Sequence, residues 1–329
     1  MIIMKILKLR HEEKKIVWSI SYLFEEKDFT PQALGSAYSG VGISTRYIEY
    51  SMWQLDTLYI LSHFANSLVW KGGSCVQSYV PPKYRRCSVD IDLNSELDRD
   101  AIFDFVDDIN RMLYDHKKII TIGDVNFGKM EFYDENPVTG TLNFFRLVPI
   151  KHGGEAKYKG NIKVKEAYPI RIQFNYKAYR ELGLIAIHIV PKIPELLPSK
   201  TYSFKKFVFP HESPSDLLAD KIWALADIER AHRGRIRLKD AYDLCLLWRF
   251  AKLNNDIITR KIEFYAESSN TTTKTIINAA IDTLTRLKTQ KVEALGMKGA
   301  VGIDGFNEII LHWDETINDL IDKVEGIAK

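Results

Sequence analysis

The chain has 329 residues, 46% hydrophobic and 27% charged, with 46 Lys and Arg against 43 Asp and Glu for a net charge of +3. This composition excludes a mostly disordered, collagen-like or membrane-embedded chain, and the near balance of charge leaves any case for a polyanionic partner to local clusters. Cys75, Cys87 and Cys245 form no CxxC pair, no His-x-x-x-His occurs, the N-terminus turns charged too early for a signal peptide, and the longest clearly apolar stretch, 182–190, is too short to span a membrane, so a reducing cytoplasm is expected.

Residues 11–26 and 46–65 carry apolar side chains at helical spacing and predict two helices of an N-terminal layer whose Trp and Tyr residues belong to the core. A short apolar strand at 68–70 runs into Lys71-Gly72-Gly73-Ser74, after which a helix starts at 75. Over 88–93, Val89, Ile91 and Leu93 alternate with Ser88, Asp90 and Asp92, the period of a strand, so both carboxylates leave the same face. A helix over 98–116 follows, then strands at 121–133, 140–149, 168–177 and 184–190. Pro191, Pro194 and Pro198 punctuate the exit and set a soft boundary at 195–212. Ser213-Pro214-Ser215-Asp216 supplies an N-cap, a proline at the first helical position and a first-turn acid for a helix reaching His232, with Gly234 beyond its end. Helices at 238–253, 256–267, 273–287 and 306–327 complete the chain. The order predicts an α+β protein, a mixed sheet flanked by helices over 1–205 and an α-helical C-terminal part over 206–329.

Asp90 and Asp92 are in phase on one strand, roughly 7 Å apart at the backbone, close enough for their side chains to share one or two divalent cations. Hard oxygen ligands favour Mg²⁺, which keeps several waters and is completed by substrate phosphates. An isolated DxD is more often a solvated strand end. The upstream Gly72-Gly73-Ser74 turn changes that balance, because it exposes backbone N–H groups and a hydroxyl where a phosphate is stabilised. Together the two features are the layout for gripping a nucleoside triphosphate, and neither GxxxxGK[ST] nor GxGxxG competes.

Lys71-Gly72-Gly73-Ser74 followed by Arg86-Cys87-Ser88-Val89-Asp90-Ile91-Asp92-Leu93 resembles the first motif of the polymerase-β-like nucleotidyltransferase superfamily, specifically the AbiEii/AbiGii-type toxin nucleotidyltransferases. Ala219-Asp220-Lys221-Ile222-Trp223-Ala224-Leu225 is similar to that family's A-x-K-x-x-A-L segment, and Lys239-Asp240-Ala241-Tyr242-Asp243-Leu244 to its R-D-x-Y-D-L segment. The resemblance implies a nucleotidyltransferase-type sheet and transfer of a nucleoside monophosphate from an NTP to an acceptor with release of pyrophosphate. It further implies Asp90 and Asp92 as ligands of Mg²⁺ (or Mn²⁺), and Gly72, Gly73 and Ser74 on the triphosphate. Lys221 and Asp240 become catalytic groups supplied by the helical part, with Lys221 also on the triphosphate. Arg86 and Ser88 are further candidates for triphosphate contact; Asp243, Tyr242 and Trp248 read as structural.

One departure is visible. Many relatives in the wider superfamily place a third acid on a later strand, whereas the polar side of 168–177 carries Arg171, Gln173 and Asn175. The general base is then unassigned, and Asp240 is a substitute to be tested. Two clusters are basic: Arg230, His232, Arg233, Arg235, Arg237 and Lys239 before Asp240, and Lys157, Lys159, Lys163, Lys165 and Arg171 in the strand region. They suit a polyanionic acceptor, and the resemblance suggests RNA such as the 3′ end of a tRNA, in the toxin of a toxin–antitoxin or phage-defence pair with a cognate antitoxin. An ordinary solvated charged surface is the plainer reading of the same clusters. A noncatalytic nucleic-acid or protein-binding module on the same scaffold is the alternative, and a DxD glycosyltransferase leaves the glycine turn and the lysine motif unexplained.

Overall fold

The computed structural model of the protein describes residues 23–37, 39–88, 90–115, 119–122, 125–149, 158–159, 163–164, 167–177, 189–192, 207–227 and 237–327. A seven-stranded mixed sheet organises the first part. In chain order its strands are β1 (Leu68–Lys71), β2 (Asp90–Ser95), β3 (Met130–Asn136), β4 (Thr141–Pro149), β5 (Ala167–Asn175), β6 (Ile189–Lys192) and β7 (Phe209–Glu212). In space they run β6-β7-β1-β2-β5-β4-β3. The β7–β1 and β2–β5 pairs are parallel and the rest antiparallel.

One face of the sheet is apolar and is covered by two helices. Helix α1 (Thr45–Leu61) lies over the start of β5, where the Tyr50 hydroxyl donates to the Pro169 carbonyl at 2.8 Å. Its Asp56 takes a fully buried ion pair from Arg146 of β4 at 3.1 Å. The short helix α2 (Gly72–Gln77) continues directly from β1. Helix α3 (Arg99–Asp115) buries Ile102, Phe105, Val106, Ile109 and Leu113, one stripe at helical spacing. Its Phe105 meets Phe174 edge-on at 6.1 Å and its Phe103 meets Phe144 at 5.5 Å, so β2, β4 and β5 present Ile91, Leu93, Phe144, Ile172 and Phe174 to this layer. Because side chains alternate along a strand, Asp90, Asp92, Arg171 and Gln173 lie on the opposite face.

The C-terminal part is helical: α4 (Pro214–Ala226), α5 (Leu238–Phe250), α6 (Asn255–Ser268), α7 (Thr273–Leu287) and α8 (Trp313–Ile327). Helix α4 starts as its sequence dictates, with the Ser213 hydroxyl accepting from the Asp216 N–H at 3.2 Å and Pro214 at the first position. Trp313 closes the bundle by donating its indole N–H to the Leu287 carbonyl at 2.9 Å. The segment after α7 returns to the sheet, where the Cys87 N–H donates to the Ala300 carbonyl and the Gly302 N–H to the Arg85 carbonyl, both at 2.7 Å. The chain leading into β2 is thereby clamped from its C-terminal side.

The sequence expectations for 46–65, 98–116, 140–149, 168–177, 238–253, 256–267 and 273–287 correspond to observed elements with shifts at their ends. The expected strand at 121–133 is instead a hairpin, Ile120–Ile122 with Val125–Phe127, followed by β3; Gly128, at φ +86°, separates the two. The expected helix at 306–327 opens with a π-turn at Phe306–Ile310 before α8. Helix α2 begins at Gly72 rather than at 75, and α4 ends at Ala226 rather than His232. Strand β7 lies inside the stretch read as a boundary, because Phe209–Glu212 shows no apolar alternation and its partner β1 is remote in sequence. The expected helix at 11–26 falls mostly, and the start of the strand at 184–190 wholly, outside the described residues. No helix among the described residues is long and apolar enough to cross a membrane.

Candidate active site

The site forms where β1 hands the chain to α2. Gly72 sits at φ +75°, and a Cβ there would fall 2.1 Å from Asp92 Oδ2, so both conformation and space demand glycine. The reason is register: β1 and β2 run antiparallel with Lys71 opposite Asp92, which lays the Asp92 carboxylate against the turn. Gly73 is equally confined, since its Cβ would meet Arg86 Nη2 at 2.4 Å and Ser88 Oγ and Asp243 Oδ2 at 3.4 Å. The glycine turn, the Arg-x-Ser lead-in and the acid pair, separated in sequence, thus meet within van der Waals contact. Ser74 is 1% exposed, and its Oγ accepts the Trp70 indole N–H at 3.0 Å, so this hydroxyl is anchored in the interior behind the turn.

Asp90 and Asp92 differ in their surroundings. Asp90 is partly exposed and accepts from Arg171 Nη2 at 2.9 Å through its Oδ2. Asp92 makes no hydrogen bond or ion pair among the described residues. Burial, and then the neighbouring Asp90 charge, push its carboxyl above the ordinary value, while Lys71, Arg171 and Lys221 pull it back. Two hard-oxygen groups on one strand, one of them unpartnered and poorly solvated, fit a divalent cation that neutralises them together. Among the described residues no group of three or more His, Cys, Asp or Glu forms a cage, so the remaining ligands would be water and phosphate oxygen.

The second wall comes from α4 and α5. Lys221 Nζ lies 2.7 Å from Asp240 Oδ1 and 2.8 Å from Asp243 Oδ2, in a pocket that leaves its side chain 9% exposed. Burial alone would lower the ammonium; the two carboxylates hold it raised above its ordinary value instead. Asp240 also accepts from Arg237 Nη1 at 2.9 Å. Burial pushes the Asp240 carboxyl up, but Lys221 and Arg237 outweigh it and bring it down to about 2. A carboxylate with a cation on each oxygen is a weak proton acceptor, so the geometry casts Asp240 as the group that holds Lys221 and leaves the general base unassigned.

Asp243 joins the two walls. It is fully buried and takes a bidentate pair from Arg86, Nε to Oδ1 at 2.7 Å and Nη2 to Oδ2 at 2.6 Å, with Gln77 Nε2 donating to Oδ1 at 3.0 Å. Arg86 Nη1 also donates to the Cys87 carbonyl at 3.1 Å. The guanidinium expected as a triphosphate contact therefore lies inside the protein and braces the turn against α5. Tyr242 and Trp248 are packing residues, the Tyr242 hydroxyl donating to the Tyr84 carbonyl at 2.6 Å.

One network escaped the sequence. Lys261 of α6 is buried between Asp220 Oδ1 at 2.8 Å and Glu212 Oε2 at 3.4 Å, and Lys71 reaches the other Asp220 oxygen at 3.4 Å. Asn94 Nδ2 donates to Glu212 at 2.8 Å and the Tyr265 hydroxyl to Asp220. The available signal was a lysine on the apolar stripe Ile258, Ile262, Ala266, where a buried charge must be paired. Of the basic cluster, Arg230, Arg233 and Arg235 lie outside the described residues, and Arg237 is committed to Asp240. Lys157 and Lys165 also lie outside them, while Lys159 and Lys163 fall on a two-residue strand pair.

The family model described as nucleotidyl transferase AbiEii toxin, type IV TA system, matches residues 54–302, well over half of the chain and the whole of the site above. A comparison with curated proteins found no match. Among solved structures, that of a protein assigned as a nucleotidyltransferase in H. pylori is similar over 87% of this chain and 99% of its own, at 11% identity and a TM-score of 0.38. That of an antigenic nucleotidyltransferase-like protein from Paracoccidioides brasiliensis is similar over 77% and 94%, at 14% identity and a TM-score of 0.39. The family match stands without these two.

Proposed function

The chain belongs to the AbiEii nucleotidyl transferase toxin family and is a nucleotidyltransferase; on that premise we propose that it transfers a nucleoside monophosphate from an NTP to RNA, the 3′ end of a tRNA in particular. The observation that carries this reading is the contact of the Asp92 carboxylate with Gly72, with Lys221 paired to Asp243, whose Oδ2 lies against Gly73 of the same turn. An acceptor hydroxyl oxygen bonds to the α-phosphorus, the α–β phosphoanhydride bond breaks, the hydroxyl proton leaves to solvent, and pyrophosphate departs.

In this reading Asp90 and Asp92 would hold Mg²⁺, with Mn²⁺ as a substitute, and a bound ion would supply charge neutralisation at the triphosphate. Gly72 and Gly73 let the backbone approach the phosphates, with Ser88 beside the turn and Ser74 anchoring it from behind. Lys221 is a compact cation that offsets charge on the departing pyrophosphate. Asp240 and Asp243 fix its position, and Arg86 fixes Asp243. Membership in a type IV toxin–antitoxin family supports a toxin role with a cognate antitoxin as partner, and the protein would act in the cytoplasm.

Purified protein incubated with Mg²⁺, each α-labelled NTP and total RNA tests the reading. Label is expected on RNA, and Asp90→Ala with Asp92→Ala removes it. RNA retained without label transfer would contradict it and favour a noncatalytic binding module.

A further inference from the structure

Arg171 stands beside the acid pair, and from its position we infer that the site takes one divalent ion with its nucleotide, Arg171 occupying the place a second ion would need. The inference rests on the reading proposed above. In the parallel β2–β5 register Arg171 is the neighbour of Asp90 and Gln173 of Asp92. Arg171 Nη2 donates to Asp90 Oδ2 at 2.9 Å, so one of the pair's four oxygens already faces a fixed positive charge. Paired-ion sites hold their ions about 3.5–4 Å apart and use shared oxygens to do so. A second divalent ion beside Asp90 would stand against the positive guanidinium.

Among the described residues the strands supply no further acid within ion-sharing reach of Asp90. The polar β5 positions on this face are Arg171, Gln173 and Asn175. Toward β5 the row from Asp92 runs through Gln173 and Asn143 to Asp134 on β3, at about 4.8 Å per strand roughly 14 Å away. Toward β1 it runs through Lys71 to Glu212 of β7, about 10 Å away and already paired with Lys261, so neither acid shares an ion with Asp92. Asp92, which has no hydrogen bond or ion pair among the described residues, and the free Oδ1 of Asp90 remain for a single ion.

Counting ions tests this without reading turnover. The full-length protein, saturated with the α,β-methylene analogue of its NTP, is titrated with Mn²⁺ and free Mn²⁺ is followed by electron paramagnetic resonance. The wild type is expected to bind about one ion per chain, and Arg171→Asp, at an exposed position, close to two. Two ions on the wild type, or an unchanged single ion on Arg171→Asp, would overturn the inference. If transfer to RNA persists in either case, the proposed function stands and only the single-ion assignment falls. No bound Mn²⁺ together with no transfer would overturn both.

Discussion

The ion cluster around Lys221 makes a quantitative prediction through Asp240. Its carboxyl is drawn from an ordinary value of 3.8 to about 2 in the folded protein. At about 1.36 kcal/mol per unit, this asymmetry contributes about 2 kcal/mol to stability at neutral pH. A folded value below the unfolded one means the contribution is complete above the unfolded value and disappears as pH falls through the folded one. Asp240→Asn keeps the shape and removes the charge, leaving Lys221 to Asp243 alone. Urea unfolding followed by circular dichroism at pH 7 should show the variant about 2 kcal/mol less stable than the wild type, with an unchanged denaturant dependence. The gap should shrink to about half near pH 3 and close near pH 2. Equal stabilities at pH 7, or a gap that persists undiminished to pH 2, would refute the assignment of Asp240 as a charge partner of Lys221 and Arg237.

Two further predictions follow from the same geometry. Asp243→Ala leaves the buried Arg86 and Lys221 short of a partner and should cost about 3–5 kcal/mol in urea unfolding, more than Asp240→Asn. Gly72→Ala must place a Cβ on Asp92 and hold a left-handed backbone; it should lower stability by about 1–2 kcal/mol and abolish Mn²⁺ retention by the nucleotide complex while the circular dichroism spectrum stays that of the wild type.

The chemistry was more legible in the sequence than the architecture around it. Period-two alternation put Asp90 and Asp92 on one face, and Lys71-Gly72-Gly73-Ser74 marked a turn, because both signals are local and a few residues long. Their meeting depends on antiparallel pairing of β1 with β2, which local pattern does not encode, and the parallel entry of β7 beside β1 from a distant part of the chain was invisible for the same reason. Asp243, one turn after Asp240, reads as structural, but what it holds was hidden because its partner Arg86 lies 157 residues earlier. Arg171 was recognisable as the absence of an acid, but its pairing with Asp90 required the β5 register. Lys261 was the clearest missed clue, a lysine among isoleucines whose partners, Glu212 and Asp220, lie on two other elements.

One pocket is expected to grip both ion and triphosphate. Diffraction at the manganese edge from crystals of the complex with Mn²⁺ and an α,β-methylene NTP examines it directly. An anomalous peak between the Asp90 and Asp92 carboxylates, with the triphosphate over Gly72 and Gly73 and reaching toward Lys221, is the predicted result. A nucleotide bound elsewhere, with those carboxylates free of metal, would contradict it.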